Sequence, residues 1–194
     1  MSEKYSVIGK SHNRVDGIAK LTGAARYTFD IVLPNMLYGR IKRSEYPHAR
    51  IVSIDYSEAL KLPGVKAVVT GKDTIGAKNG VWRRFPELCD EEILCREKVR
   101  YIGDPIAAVA AVDEATAEKA LDLIEVEYDP LPAVFDPREA MKEGAPVVHD
   151  HADRNVNNTR HIEWGNVDED FEKCDVVIEE QFFSSPQAHV CMET

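Results

Sequence analysis

The 194-residue chain is long enough to bury a core, and 44% hydrophobic against 30% charged residues excludes an intrinsically disordered protein. With 24 Lys and Arg against 34 Asp and Glu, the formal charge of −10 argues against a nucleic-acid surface and against attachment to an anionic membrane. No apolar run approaches the roughly 18 residues of a membrane span and MSEKYSVIGK has no signal-peptide core, so a cytoplasmic protein is expected.

In chain order, residues 6–8 read as a short strand or a leader. Arg14-Val15-Asp16-Gly17 and Leu21-Thr22-Gly23 then bracket a polar segment before Ala24-Ala25-Arg26-Tyr27. Residues 36–43 form a strand, and Glu45-Tyr46-Pro47-His48 turns the chain into a second strand over 49–55. Asp55 and Glu58 have capping-box spacing for a short helix through Leu62, which Pro63-Gly64 stops before a β-branched strand over 65–70. Residues 72–97 carry the least pattern. An aromatic and basic patch there (Trp82, Arg83, Arg84, Phe85) precedes the acidic Asp90-Glu91-Glu92. A loop of this length is either a partner contact or a solvated excursion.

The clearest instructions lie in 99–133. A continuous apolar run over 106–112 predicts a strand buried on both faces, with Asp113 capping the helix that follows. Ala117, Ala120, Leu121 and Ile124 give that helix one apolar stripe. Ile124, Val126 and Tyr128 alternate with Glu125 and Glu127 as a half-buried strand, which the prolines of Asp129-Pro130-Leu131-Pro132 end. The strand–helix–strand order repeats that of 49–70.

Asp136-Pro137-Arg138-Glu139 starts a short helix ending near Gly144. Asn166 caps another through Lys173, and a closing strand is expected over 175–184. The chain divides into a core over 1–144, an extended linker over 145–160, and a closing helix and strand over 161–194. The fold class is α+β, a mixed or antiparallel sheet with short helices packed on it.

Chemistry is sparse. His149-Asp150-His151 would put two imidazoles on one face of a strand as partial metal ligands, although the segment reads as a loop. His189, Cys191 and Glu193 alternate, which suggests zinc or a nucleophilic thiol, but chain termini rarely supply the walls of a site. Gly71-Lys72-Asp73 and Gly103-Asp104-Pro105 each follow a strand; both lack phosphate-loop spacing and place an Asp where it would repel an anion. Cys89, Cys95, Cys174 and Cys191 show no C-x-x-C spacing and read as reduced thiols. The residues alone therefore assign no catalytic, cofactor-binding or metal-binding residue.

Several strings in order do carry a resemblance. Arg14-Val15-Asp16-Gly17 and Lys20-Leu21-Thr22-Gly23-Ala24-Ala25-Arg26-Tyr27 with Asp30 come first. Pro47-His48-Ala49-Arg50-Ile51, Pro63-Gly64-Val65 and Val68-Val69-Thr70-Gly71-Lys72-Asp73 follow. Val99-Arg100-Tyr101, Gly103-Asp104-Pro105-Ile106-Ala107-Ala108-Val109 and Glu125-Val126-Glu127-Tyr128 with Leu131-Pro132-Ala133 complete the series. The chain thereby resembles the N-terminal α/β-hammerhead domain of the molybdopterin-binding large subunit in the xanthine dehydrogenase and aldehyde oxidase family.

The resemblance implies a molybdenum hydroxylase-type oxidoreductase, akin to xanthine dehydrogenase, aldehyde oxidase or hydroxybenzoyl-CoA reductase. It implies molybdenum–molybdopterin in the full subunit, with iron–sulfur clusters and FAD in partner domains or subunits. The family's cofactor loops and catalytic glutamate have no counterpart here. His189-Val190-Cys191-Met192-Glu193-Thr194 resembles the hinge into the molybdenum domains, and Glu193 is not that glutamate. Expected, then, is a non-catalytic domain, as a fragment or a split subunit. A stand-alone assembly module, and a small zinc hydrolase using His149, His151 and His189, are the alternatives.

Overall fold

The computed structural model describes residues 5–80 and 89–188. They fall into two compact units, one from 1–34 with 175–194 and one spanning Asn35–Cys174. In the first unit the regular elements among the described residues are helix α1 (Gly17–Leu21) and a single 3-10 turn at Thr28–Asp30.

The second unit holds strands β1 (Tyr38–Arg43) and β2 (Ala49–Asp55), helix α2 (Ser57–Lys61) and strand β3 (Val65–Thr70). The short strands β4 (Lys78–Asn79), β5 (Glu91–Glu92) and β6 (Lys98–Val99) follow. Strand β7 (Pro105–Ala111), helix α3 (Glu114–Asp122) and strand β8 (Glu125–Pro130) come next, then helices α4 (Pro137–Ala140) and α5 (Val167–Glu172). One sheet has the order β1-β7-β3, another β6-β2-β8, and β4 pairs with β5. All of these pairings are antiparallel, as in Ile41 opposite Ala108 and Ala49 opposite Val99.

The two strand–helix–strand runs explain why no parallel pair forms among the described strands. β2 leads through α2 into the other sheet at β3, and β7 leads back through α3 to β8. Each helix therefore bridges two sheets instead of crossing over one. Alanines make this possible, because small residues let helix and strand approach closely. Ala59 of α2, Ala107 of β7 and Ala120 of α3 are fully buried together with Val109 and Ile124. A second cluster joins Ala49, Cys95, Val99 and Ile106, and Ile54 and Val126 pack against both. β7 is buried on both faces, as its apolar run requires.

The helix starts follow side-chain acceptors. Asp113 Oδ1 accepts from Thr116 N at 2.7 Å, and Asp136 Oδ1 accepts from Arg138 N at 2.7 Å beside Pro137. Asn166 Oδ1 accepts from Glu169 N at 3.4 Å. The capping box expected at Asp55 and Glu58 does not form. The helix begins at Ser57, so Glu58 sits too early to reach back and pairs with Lys61, while Asp55 accepts from Ser57 N at 2.9 Å. The strand expected over 175–184 is also absent, since those residues find no ladder partner among the described strands. Among the described residues no helix is long and apolar enough to cross a membrane.

These caps carry a pH signature. Hydrogen bonds from the Arg138 side chain and backbone hold the Asp136 carboxyl at about 2, and hydrogen bonds from Thr116 hold Asp113 below its ordinary value of 3.8. A carboxyl with a lower folded than unfolded pKa adds stability above the unfolded value and loses it as pH falls through the folded one. Between about pH 4 and pH 2 the native chain is therefore expected to lose stability more steeply than an Asp113→Asn/Asp136→Asn double variant, whose amides cap without titrating. Parallel urea-unfolding profiles for the two proteins would contradict this.

Candidate functional site

The polar centre of the second unit forms where residues 145–157 dock. Lys98 of β6 is the anchor. Its side chain is 7% exposed, and its Nζ donates to Asp150 Oδ1 and Oδ2 at 2.8 and 3.0 Å. Those bonds hold the Asp150 carboxyl below its usual range. Asn155, at φ +58°, clamps the segment from behind: its Oδ1 accepts from Val148 N at 2.8 Å, and its Nδ2 donates to Ala140 O at 3.0 Å and Pro146 O at 2.9 Å. The extended linker expected here is in fact a pinned turn, because buried Lys98 needs a counter-charge and the Asn155 amide supplies hydrogen bonds for the chain's own backbone.

The turn closes with Ala152 N donating to His149 O at 2.9 Å, so His149 and His151 meet through a bend and not across a strand face. Their rings stand edge to face with centroids 5.6 Å apart. Asp90, just before β5, completes the group: its Oδ2 lies 3.4 Å from His149 Nδ1. One ligand atom from each of Asp90, His149 and His151 lies within 4.8 Å of the others. Burial, opposed by the Asp90 carboxylate, pushes His149 below its usual 6.5, so the imidazole is neutral at pH 7. An open cleft of about 500 Å³ runs past the three residues, walled by Phe135, Val148 and Asn155.

A neighbouring cleft of about 400 Å³ shares Asp90 and His149 and adds Glu91, Glu92, Arg100 and Asp104. Asp104 is buried and accepts from Arg100 N at 2.8 Å. Burial and then the Asp104 hydrogen bond push the Cys95 thiol far up, so it is not a nucleophile. The two rejected phosphate loops use their carboxylates locally. Asp73 Oδ2 accepts from Thr70 N at 2.7 Å and from Thr70 Oγ1 at 2.9 Å, and Asp104 serves Arg100. The His48 of the Pro47-His48 string is buried, with Nδ1 donating to Pro132 O at 2.7 Å, which ties the entry of β2 to the exit of β8. His189, Cys191 and Glu193, and the patch of Trp82, Arg83, Arg84 and Phe85, lie outside the described residues. Asp90 was invisible as a partner of His149 in the sequence, since it read only as one of three consecutive acids.

The family described as "Aldehyde oxidase and xanthine dehydrogenase, a/b hammerhead domain" matches residues 22–132. The chain belongs to this hammerhead family. The hammerhead chain is 39% identical over 194 residues to the nicotinate dehydrogenase large molybdopterin subunit of Eubacterium barkeri, covering 100% of this chain and 44% of that protein. It is 35% identical over 188 residues to the xanthine dehydrogenase molybdenum-binding subunit of Escherichia coli O157:H7, covering 93% and 25%. The solved quinoline 2-oxidoreductase of Pseudomonas putida 86 superposes with a TM-score of 0.68 at 38% identity, over 77% of this chain and 19% of that one. The hammerhead chain thus spans less than half the length of both curated relatives. The α+β fold with antiparallel sheets and short helices agrees with the hammerhead expectation. Its family strings over 47–51, 65–70, 105–109 and 125–128 fall on or beside β2, β3, β7 and β8, where they build core.

Proposed function

We propose that this hammerhead chain is the non-catalytic N-terminal scaffold of a molybdenum hydroxylase large subunit related to xanthine dehydrogenase and aldehyde oxidase. Molybdenum–molybdopterin is then held by the molybdenum-binding domains of the same subunit, and iron–sulfur clusters and FAD by partner domains or subunits. The observation that carries the reading is the likeness along the whole chain to a molybdopterin subunit more than twice as long.

Two features of the chain support it. The cleft beside Asp90 suits molybdopterin poorly: the cofactor bears a phosphate, and Asp90, Glu91, Glu92 and Asp104 would face that charge against Arg100. The unit of 1–34 and 175–194 also leaves Leu21, Val176, Ile178, Phe182 and Phe183 largely exposed, with Phe182 at 90%, an apolar surface suited to burial against other domains. A stand-alone assembly module would use the same surface without joining a redox enzyme.

The test is to purify the 194-residue chain alone, and together with the molybdopterin-binding polypeptide of the same organism, and to measure molybdenum after gel filtration. Molybdenum in the complex and none in the chain alone is expected. Molybdenum and pterin retained by the isolated chain overturn the scaffold reading, and a chain that ignores the polypeptide favours the assembly module.

A further inference from the structure

We propose that Asp90, His149 and His151 form a binding site for a divalent transition-metal ion of the zinc class, with a coordination position left open toward the cleft. This site is independent of the molybdenum reading, since every ligand belongs to this chain. Around a tetrahedral ion bound at 2.0–2.1 Å, ligand atoms lie about 3.4 Å apart. Asp90 Oδ2 and His149 Nδ1 already stand at 3.4 Å. The third ligand, His151, is exposed on the same turn and its ligand atom lies within 4.8 Å of the other two, so a shift of little more than ~1 Å closes the set.

The surrounding structure holds this geometry. Asp150, between the two histidines, is turned away onto Lys98, which leaves two imidazoles and one carboxylate as donors and pairs that buried cation. Asn155 fixes the chain on the far side of the turn. Glu91 and Glu92 line the adjoining cleft with Asp90 and add negative potential that offsets Arg100. A donor set of two nitrogens and one oxygen suits zinc, cobalt or ferrous iron over magnesium or calcium, which prefer oxygen alone. A bound ion would clip the turn at 149–152 to the segment before β5, two stretches far apart in sequence, and would favour the folded state by mass action.

The experiment is a titration of the untagged, chelator-washed full chain with Zn2+ by calorimetry, with Co2+ absorption as a second readout. One ion per chain, a raised thermal midpoint at saturating zinc, and no competition from a large excess of Mg2+ are expected. His149→Ala and His151→Ala are each expected to weaken zinc binding at least about tenfold, and His161→Ala to leave it unchanged. His151 is exposed, so its variant reports on binding even if His149→Ala disturbs the fold, and circular dichroism distinguishes the two. Zinc binding that is unsaturable, or equally tight in the His149→Ala/His151→Ala double variant, overturns the proposal.

Discussion

Ile106→Ala is expected to cost about 4 kcal/mol of stability, near the upper end for removal of a large aliphatic side chain from a core. Ile106 is fully buried and packs with Ala49, Cys95 and Val99, ringed by Ile51, Ile54, Val126 and Tyr128. Its fully buried neighbours are small or stiff, so they cannot swell into the space left behind. Nor can the backbone collapse, because β7 is the middle strand and is paired on one side with β1 and on the other with β3. The cavity should therefore persist, and its cost adds to the lost transfer free energy. Urea unfolding followed by circular dichroism checks the value. A loss below about 1.5 kcal/mol would show that the site relaxes and that β7 is not held as described.

Gly71→Ala is expected to cost roughly 3 kcal/mol for the opposite reason, overpacking against backbone. A Cβ at Gly71 would lie 2.5 Å from Cys95 O, 2.7 Å from Cys95 C and 2.8 Å from Arg96 Cα. None of these atoms can rotate out of the way. The two segments are also bonded to each other, since Gly71 O accepts from Arg96 Nε at 2.9 Å, and Cys95 is held from its other side, its N donating to Pro105 O of β7 at 2.7 Å. Making room for one methyl group thus strains the anchor of the segment leading to β6. Gly103→Ala supplies the comparison. Gly103 has φ +96° but nothing within 4 Å of an added Cβ, so it carries only the conformational penalty of about 1 kcal/mol. If both variants lose the same stability, close approach at Gly71 is not what selects glycine there.

Both positions lie inside strings that carry the hammerhead resemblance, Val68 to Asp73 and Gly103 to Val109. The structure gives those strings a packing explanation: a strand end that must pass close to another backbone, and a central strand that must be apolar and small. The same holds for Pro47-His48, where a buried imidazole joins the ends of β2 and β8. A family signature made of core and close-approach residues accords with a domain whose role is to hold shape.

What the sequence determined by itself was local. The bounds of β2 and β3, the apolar run of β7, and the Asp113, Asp136 and Asn166 caps were all legible, because each depends on side-chain period or on an acceptor two or three residues from its donor. Tertiary structure decided the rest. Residues 175–184 have strand composition but no ladder partner among the described strands, and 145–160 reads as a polar linker until buried Lys98 and the Asn155 clamp pin it. That helices α2 and α3 join different sheets, and that Asp90 meets His149 and His151, follow from contacts between segments distant in the chain. Periodicity records which face of an element is apolar; it carries no record of which distant backbone or charge that face will meet.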